Sequence, residues 1–203
     1  MIGKINMRIV ISGAVGSGKT TLTKELAKDL SIETIEENFA DIYNSRITFI
    51  NLQKTKPSHQ ELKDAFKAWM DSYFNWLKKR ESEYLSKKKF VADRWEADLL
   101  SFWLRDFVNS KVDGRTLKLV SIFQENSKNI SHSIILPPML NAPEKNEDGL
   151  VRTKSLCTKI MGGAMMAGLI QQYTSTPLIF IPPQIKTIAD KITFIKKQIL
   201  TRS

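Results

Sequence analysis

Cysteine is nearly missing from this chain: among 203 residues the only one is Cys157. A lone thiol excludes an intrachain disulfide framework and suits a reducing cytosol, so a cytoplasmic location is expected. Cys157 falls in a stretch of helical pattern and is expected as a packed thiol. Histidine is scarce too; His59 and His132 are widely separated, with no cysteine pair beside them, so zinc-site spacing is absent. No apolar run approaches the roughly 20 residues of a membrane helix, and no secretory h-region opens the chain, so no membrane segment is expected. Internal repeats, low-complexity tracts and the arginine-rich aromatic signatures of RNA-binding modules are also missing. Acidic charge is in the minority, with 31 Lys and Arg against 21 Asp and Glu and a net charge of +10. That balance favours anionic partners: nucleotides, nucleic acid or acidic surfaces. Much of the excess sits in Lys78-Lys79-Arg80 and Lys87-Lys88-Lys89. Both runs are expected on the solvated side and exit of a long helix, so nucleic acid is possible but not favoured.

What the chain does have is Gly13-Ala14-Val15-Gly16-Ser17-Gly18-Lys19-Thr20, a match to G-x-x-x-x-G-K-[ST] at every fixed position. Met7-Arg8-Ile9-Val10-Ile11 before it reads as a short buried parallel strand. After it, Leu22, Leu26 and Leu30 recur four apart on one helical face. Strand, glycine loop and helix thus follow in the order a phosphate loop requires. Glycines open backbone conformations in which successive N–H groups converge on phosphate oxygens, and the helix N-terminus adds partial positive charge. Residues Gly13, Ala14, Val15, Gly16, Ser17, Gly18, Lys19, Thr20 and Thr21 are therefore expected to cradle a nucleoside triphosphate. Lys19 would neutralise its outer phosphates and the Thr20 hydroxyl would ligate Mg²⁺.

Further along, Ile32-Glu33-Thr34-Ile35 reads as a second strand ending in Glu36-Glu37, followed by a polar bridge through Pro57-Ser58. Ser58 and Glu61 form a capping box for a helix over about 59–88, with Leu62, Phe66, Trp69, Tyr73, Trp76 and Leu77 along one stripe. That stripe reads as core packing, or as a wall for a base. Phe90-Val91-Ala92 makes a third strand running into Asp93-Arg94. A helix through Leu99, Phe102, Trp103 and Phe107 follows, and Asp113-Gly114 breaks the chain. A helix over 115–127 then leads to strand Ser133-Ile134-Ile135-Leu136. Residues 141–148 read as loop, 153–173 as a helix weakened by Gly162, Gly163 and Gly168, 178–181 as a fifth strand and 185–200 as a closing helix. The expected fold class is α/β: a three-layer P-loop NTPase fold with a mostly parallel five-stranded sheet, as one domain over 1–203.

Ligands in such sheets lie beyond the carboxyl ends of the strands, which is where the remaining candidates fall. Asp93 could hold Mg²⁺ or take a proton from an acceptor hydroxyl, and Arg94 could clamp phosphate oxygens; the pair also reads as a buried tie between strand and helix. Asp98, one turn on, reads as a surface or capping group. Glu36 and Glu37 point in different directions, so one of them could serve as general base or outer-sphere metal partner, and the sequence leaves open which. Residues 147–154, with Gly149 before Arg152 and Lys154, suit either a lid around 141–160 that closes over the triphosphate or an ordinary surface loop. Arg152 is the preferred lid residue.

Taken together, the phosphate loop, Glu36-Glu37, Val91-Ala92-Asp93-Arg94, Leu136-Pro137-Pro138 and Asp148-Gly149-Leu150-Val151-Arg152 resemble the AAA-domain family that includes bacterial nicotinamide riboside kinase domains. The Glu and Asp-Arg placements are more distantly similar to deoxynucleoside and thymidylate kinases. The resemblance implies a kinase-type core that uses ATP with Mg²⁺, held by Thr20 and Asp93, and an acceptor near the second and third strand ends. Lys19, Asp93, Arg94, Arg152 and one of Glu36 and Glu37 would carry the chemistry. An arginine of that family shortly after the strand-end Glu is replaced by Ala40 or Asp41, which counts against nicotinamide riboside in particular as the acceptor. A hexameric motor is not expected, because no strand ends in the Asp-Glu pair that motors use. The implied function is phosphoryl transfer from ATP to a small nucleoside, nucleotide or related metabolite. The alternative, drawn from the basic charge, is a P-loop ATPase or nucleotide switch acting on a protein or nucleic acid. Oligomeric state leaves no trace in the sequence.

Overall fold

Short β-branched strands alternating with helices can bury both strand faces only in a covered parallel sheet, and that is what the chain builds. The computed structural model describes residues 7–138 and 155–201. These fall into two compact units: Glu37–Ser86 forms one, and the described residues up to Glu36 together with those from Lys87 onward form the other. In chain order the elements are β1 (Arg8–Gly13), α1 (Lys19–Leu30), β2 (Glu33–Ile35), α2 (Ala40–Gln53), α3 (His59–Ser86) and β3 (Phe90–Asp93). Then come α4 (Glu96–Asp106), α5 (Asp113–Ser127), β4 (His132–Leu136), α6 (Leu156–Tyr173), β5 (Leu178–Phe180) and α7 (Ile188–Thr201).

The larger unit holds all five strands in one parallel sheet of order β2-β3-β1-β4-β5. β1 lies at the centre, with Ile11 in register with Asp93 of β3 and Gly13 with Leu136 of β4. The end of β3 therefore lies beside the start of the glycine loop. Alternate residues of β1 face opposite layers. Ile9 and Ile11, with Val91, Ile134 and Ile179, pack against Leu22 and Leu26 of α1 and Ile195 and Ile199 of α7. Fully burying a leucine such as Leu22 or Leu26 stabilises by roughly 1.5–3 kcal/mol, so the four-residue spacing docks α1 under the sheet. α4 and α6 cover the other face, completing three layers.

The smaller unit is α2 and α3, inserted in sequence between β2 and β3. The Ser58–Glu61 capping box forms: Ser58 N donates to Glu61 Oε2 at 2.7 Å and Glu61 N to Ser58 Oγ at 3.2 Å. The aromatic stripe of α3 meets α2. Trp76 lies 4.9 Å from Phe39 by ring centroid, and Phe49 lies 5.4 Å from Phe66 and 5.5 Å from Trp69. Core packing is thus what these rings do.

Several sequence expectations need correction. The polar bridge after Glu37 contains α2, whose Ile, Thr and Asn residues have weak helix propensity and which buries only Ile42 among its own residues. Asp113-Gly114 does not break the chain but opens α5. Cys157 is exposed in the first turn of α6, not packed. Within the basic run at the end of α3, Lys78 and Lys79 are exposed as expected, whereas Arg80 is buried with its guanidinium 4.7 Å from the Trp76 ring. Asp98 is completely buried, not a surface group.

Candidate active site

The loop between β1 and α1 needs backbone shapes that side chains resist. Gly16 and Gly18 have φ of 78° and 86°, left-handed values that cost an L-residue roughly 1–2 kcal/mol. At Gly13 the limit is space: a Cβ there would lie 2.9 Å from Ser17 Oγ and 3.1 Å from the Leu136 carbonyl oxygen. α1 then begins on Gly18 with no side-chain cap and no acidic residue in its first turn. Most helices spend a Ser, Thr or Asp on these N–H groups; in α1 they, with the positive end of the helix dipole behind them, suit an anion. Lys19 is buried, and its Nζ reaches back across the loop to donate to the Ala14 carbonyl at 2.9 Å.

At the head of this loop the hydroxyl of Thr20 donates to Asp93 Oδ2 at 2.5 Å, and Asp93 is 1% exposed. Two sequence-predicted Mg²⁺ ligands, 73 residues apart, thus share one point in space. Both offer hard oxygen donors, the kind Mg²⁺ takes. Among the described residues there is no cluster of three or more His, Cys, Asp or Glu side chains. An ion held by so few protein groups would complete its octahedron with phosphate oxygens and water, which is how Mg²⁺ is usually bound. The residues fit the ion.

Arg94 follows in a left-handed conformation, φ 65°, its N–H bonded to the Ile11 carbonyl at 3.0 Å. Strain of this kind tends to collect at functional sites. Its guanidinium pairs with Asp98 Oδ1 at 3.4 Å, four residues on, and both side chains are buried. The other oxygen of Asp98 accepts from Ser12 Oγ at 2.6 Å and from the Trp95 N–H at 3.4 Å. Trp95 Nε1 in turn donates to Ser12 Oγ at 3.0 Å. This network ties the last residues of β1 to the first turn of α4. Burial pushes the Asp98 carboxyl above its ordinary range, against the opposing pull of Arg94, Lys19, Ser12 and Trp95.

Known proteins show the same architecture. Residues 8–101 match the family model described as an AAA domain. A deoxyadenosine kinase from M. mycoides with bound dATP superposes with a TM-score of 0.65 at 16% identity, covering 95% of this chain and 98% of that one. The chain has a P-loop kinase fold. A thymidylate kinase from Candida albicans (TM-score 0.55, 13% identity, 97% and 92% covered) shares it. So does a shikimate kinase from Acinetobacter baumannii in complex with shikimate (0.52, 13%, 97% and 95%). No curated protein gives a significant match.

Within this kinase fold the other candidates separate. Glu36 is exposed, its Oε1 3.8 Å from Lys24 Nζ on the outer side of α1. Glu37 is half-buried and belongs to the helical unit. Thr21 is exposed in the first turn of α1. Arg152, Lys154 and most of the expected lid lie outside the described residues; of that lid, residues 155–160 are the Ser155 cap and opening turn of α6.

Sequence reasoning missed a small cleft beside the loop, with a volume of about 30 Å³. Its floor is residues 13–15, one wall is α4 with Phe102 and Arg105, and the other is α6 with Lys159. Arg94 also faces into it. The i, i+4 spacing of Arg94 and Asp98 was a visible signal for the ion pair. Nothing local signalled that α6 would bring Lys159 opposite α4.

Proposed function

We propose that the chain transfers the γ-phosphoryl group of ATP to a small nucleoside, nucleotide or related metabolite, with residues 1–203 acting as one kinase domain. The observation that carries this reading is the Thr20–Asp93 hydrogen bond at the head of the phosphate loop. Backbone N–H groups of the loop and of the first turn of α1 bind and orient the triphosphate, and Lys19 offsets charge on its outer phosphates. Thr20 and Asp93 would hold Mg²⁺, which when bound neutralises charge developing on the β- and γ-oxygens. Arg94, steadied by Asp98, flanks the path of transfer and can stabilise the moving group. An acceptor oxygen attacks the γ-phosphorus in line, the bond to the bridging oxygen breaks, and ADP leaves. Where the acceptor is a hydroxyl, its proton needs a carboxylate, for which Glu36, Glu37 and Asp93 are the candidates. The kinase fold and the AAA-domain match support this reading.

The test is ATP consumption with and without a panel of nucleosides and nucleotides. Turnover that requires one class of acceptor is expected. Slow hydrolysis, indifferent to every small acceptor but raised by DNA or a protein, would replace this reading with a nucleotide switch.

A further inference from the structure

Ser12 is out of keeping with its surroundings. It follows Ile9, Val10 and Ile11 in β1, immediately precedes Gly13, and is completely buried. A buried hydroxyl is unfavourable unless it is bonded, and this one is bonded twice. Trp95 Nε1 donates to Ser12 Oγ at 3.0 Å, and the hydroxyl donates to Asp98 Oδ2 at 2.6 Å. The Trp95 N–H donates to the same carboxylate oxygen at 3.4 Å, which closes a ring through Ser12, Trp95 and Asp98. All three residues are 0% exposed. From outside the ring, Phe123 of α5 meets the indole edge-on with centroids 5.2 Å apart.

Asp98 faces donors here. The Ser12 oxygen already accepts from the indole, so its proton is left for the carboxylate, and the Trp95 N–H and Arg94 Nη1 are donors as well. Both oxygens of Asp98 therefore accept, Oδ2 inside the ring and Oδ1 towards Arg94 at 3.4 Å. The backbone of Arg94 is referred to the same strand, through its N–H bond to the Ile11 carbonyl at 3.0 Å. Main chain and side chain of Arg94 are thus both tied to residues 11 and 12, the pair that leads into the glycine loop. A helix start needs only one carboxylate oxygen as a cap. Burying the whole group against an arginine is a costly way to make one, so the second oxygen has another use.

We infer that Ser12, Trp95 and Asp98 form a positioning unit that holds the Arg94 guanidinium in fixed register with the phosphate loop during phosphoryl transfer. The inference rests on the kinase reading above and deepens it, adding residues that act through Arg94 rather than on nucleotide or acceptor. A displacement of about 1 Å at a reacting centre can lower a rate by about 10²-fold. Loss of the ring is therefore felt in turnover and not in ATP binding.

The test follows ADP formed from ATP and Mg²⁺ by the full chain, in water alone and with each nucleoside and nucleotide of the panel. Calorimetry with the non-hydrolysable analogue AMP-PNP measures affinity separately. Ser12→Ala and Asp98→Asn should each slow ADP formation by about tenfold or more, while AMP-PNP affinity changes by less than about threefold. Asn keeps the shape of Asp98 but offers one accepting oxygen instead of two. Trp95→Phe keeps a ring against Phe123 and removes only the indole N–H; it should give a smaller loss of the same kind, and it carries the test if either other variant fails to fold by near-UV circular dichroism. The deciding measurement is made in an Arg94→Gln background. There the same substitutions should cost less than about twofold, because no guanidinium is left to position. Equal losses in both backgrounds, affinity losses that match the rate losses, or unchanged rates in all three variants would reduce the ring to core packing and leave the kinase reading standing. No AMP-PNP binding by the parent chain would overturn the kinase reading, and the positioning unit with it.

Discussion

In the proposed reaction Lys19 and Asp93 do different work, and substitution should separate them. The Lys19 ammonium is aimed along the loop by its bond to Ala14 and would meet the triphosphate in ground and transition states alike. Lys19→Ala should therefore weaken ATP affinity by about tenfold to a hundredfold, the loss expected for charge-assisted hydrogen bonds, with the fold retained. Calorimetry measures it; unchanged affinity would remove Lys19 from the site. In the proposed reaction Asp93 would sit where charge develops during transfer. Asp93→Asn should lower kcat by about 10²-fold or more while ATP affinity falls far less. Equal losses in rate and affinity would reduce Asp93 to a structural partner of Thr20. Asp98 makes a third case. Because burial raises its carboxyl above 3.8, the folded chain binds that proton more tightly than the unfolded chain does. Its contribution to stability is fully present below pH 3.8 and is lost as pH rises through the raised value. Asn has no proton to lose, so the stability of Asp98→Asn relative to the parent should improve as pH rises from about 4 towards 7. Urea midpoints that run parallel across that range would contradict this.

At the scale of elements, α6 carries an avoidable cost. Gly168 is exposed inside the helix, and a Cβ built on it meets nothing within 4 Å. Gly168→Ala should raise stability by about 0.5–1 kcal/mol through the lower entropy of the unfolded chain, and urea unfolding reads it directly. A loss of stability would mean that the glycine serves a packing need. Elements were also where sequence reading worked best. Strand, glycine loop and leucine-spaced helix identified β1 and α1, and Ser58 with Glu61 marked the start of α3, because those signals are local. α2 was invisible for the same reason inverted: its start has no side-chain cap, and its rings find their purpose only against α3. The burial of Asp98 was equally hidden. Its partner Ser12 lies 86 residues away, and only the β1–α4 crossing brings the two together. The cleft depends on α6 returning across the sheet, which no spacing rule encodes.

For the whole molecule, the net charge of +10 favours polyanionic ligands, and ligation should be visible in global stability. A ligand at about 100 times its Kd adds roughly 2.7 kcal/mol to the folded state. In a chain of this size each kcal/mol shifts Tm by about 2–4 °C. Saturating Mg²⁺ and ATP should therefore raise Tm by about 5–10 °C in differential scanning calorimetry, and Lys19→Ala should lose most of that shift. A parent protein whose melting is indifferent to ATP would contradict the site.

The central place of β1 has one last consequence. Its backbone is bonded to β3 on one side and β4 on the other, while the three-residue strands β2 and β5 form the rims of the sheet. Gradual loosening would fray the rims first and reach the middle last. The glycine loop hangs from that middle strand, so, if it holds a nucleotide as proposed, partly unravelled molecules would keep their grip on phosphate after the sheet had lost its outermost ribbons.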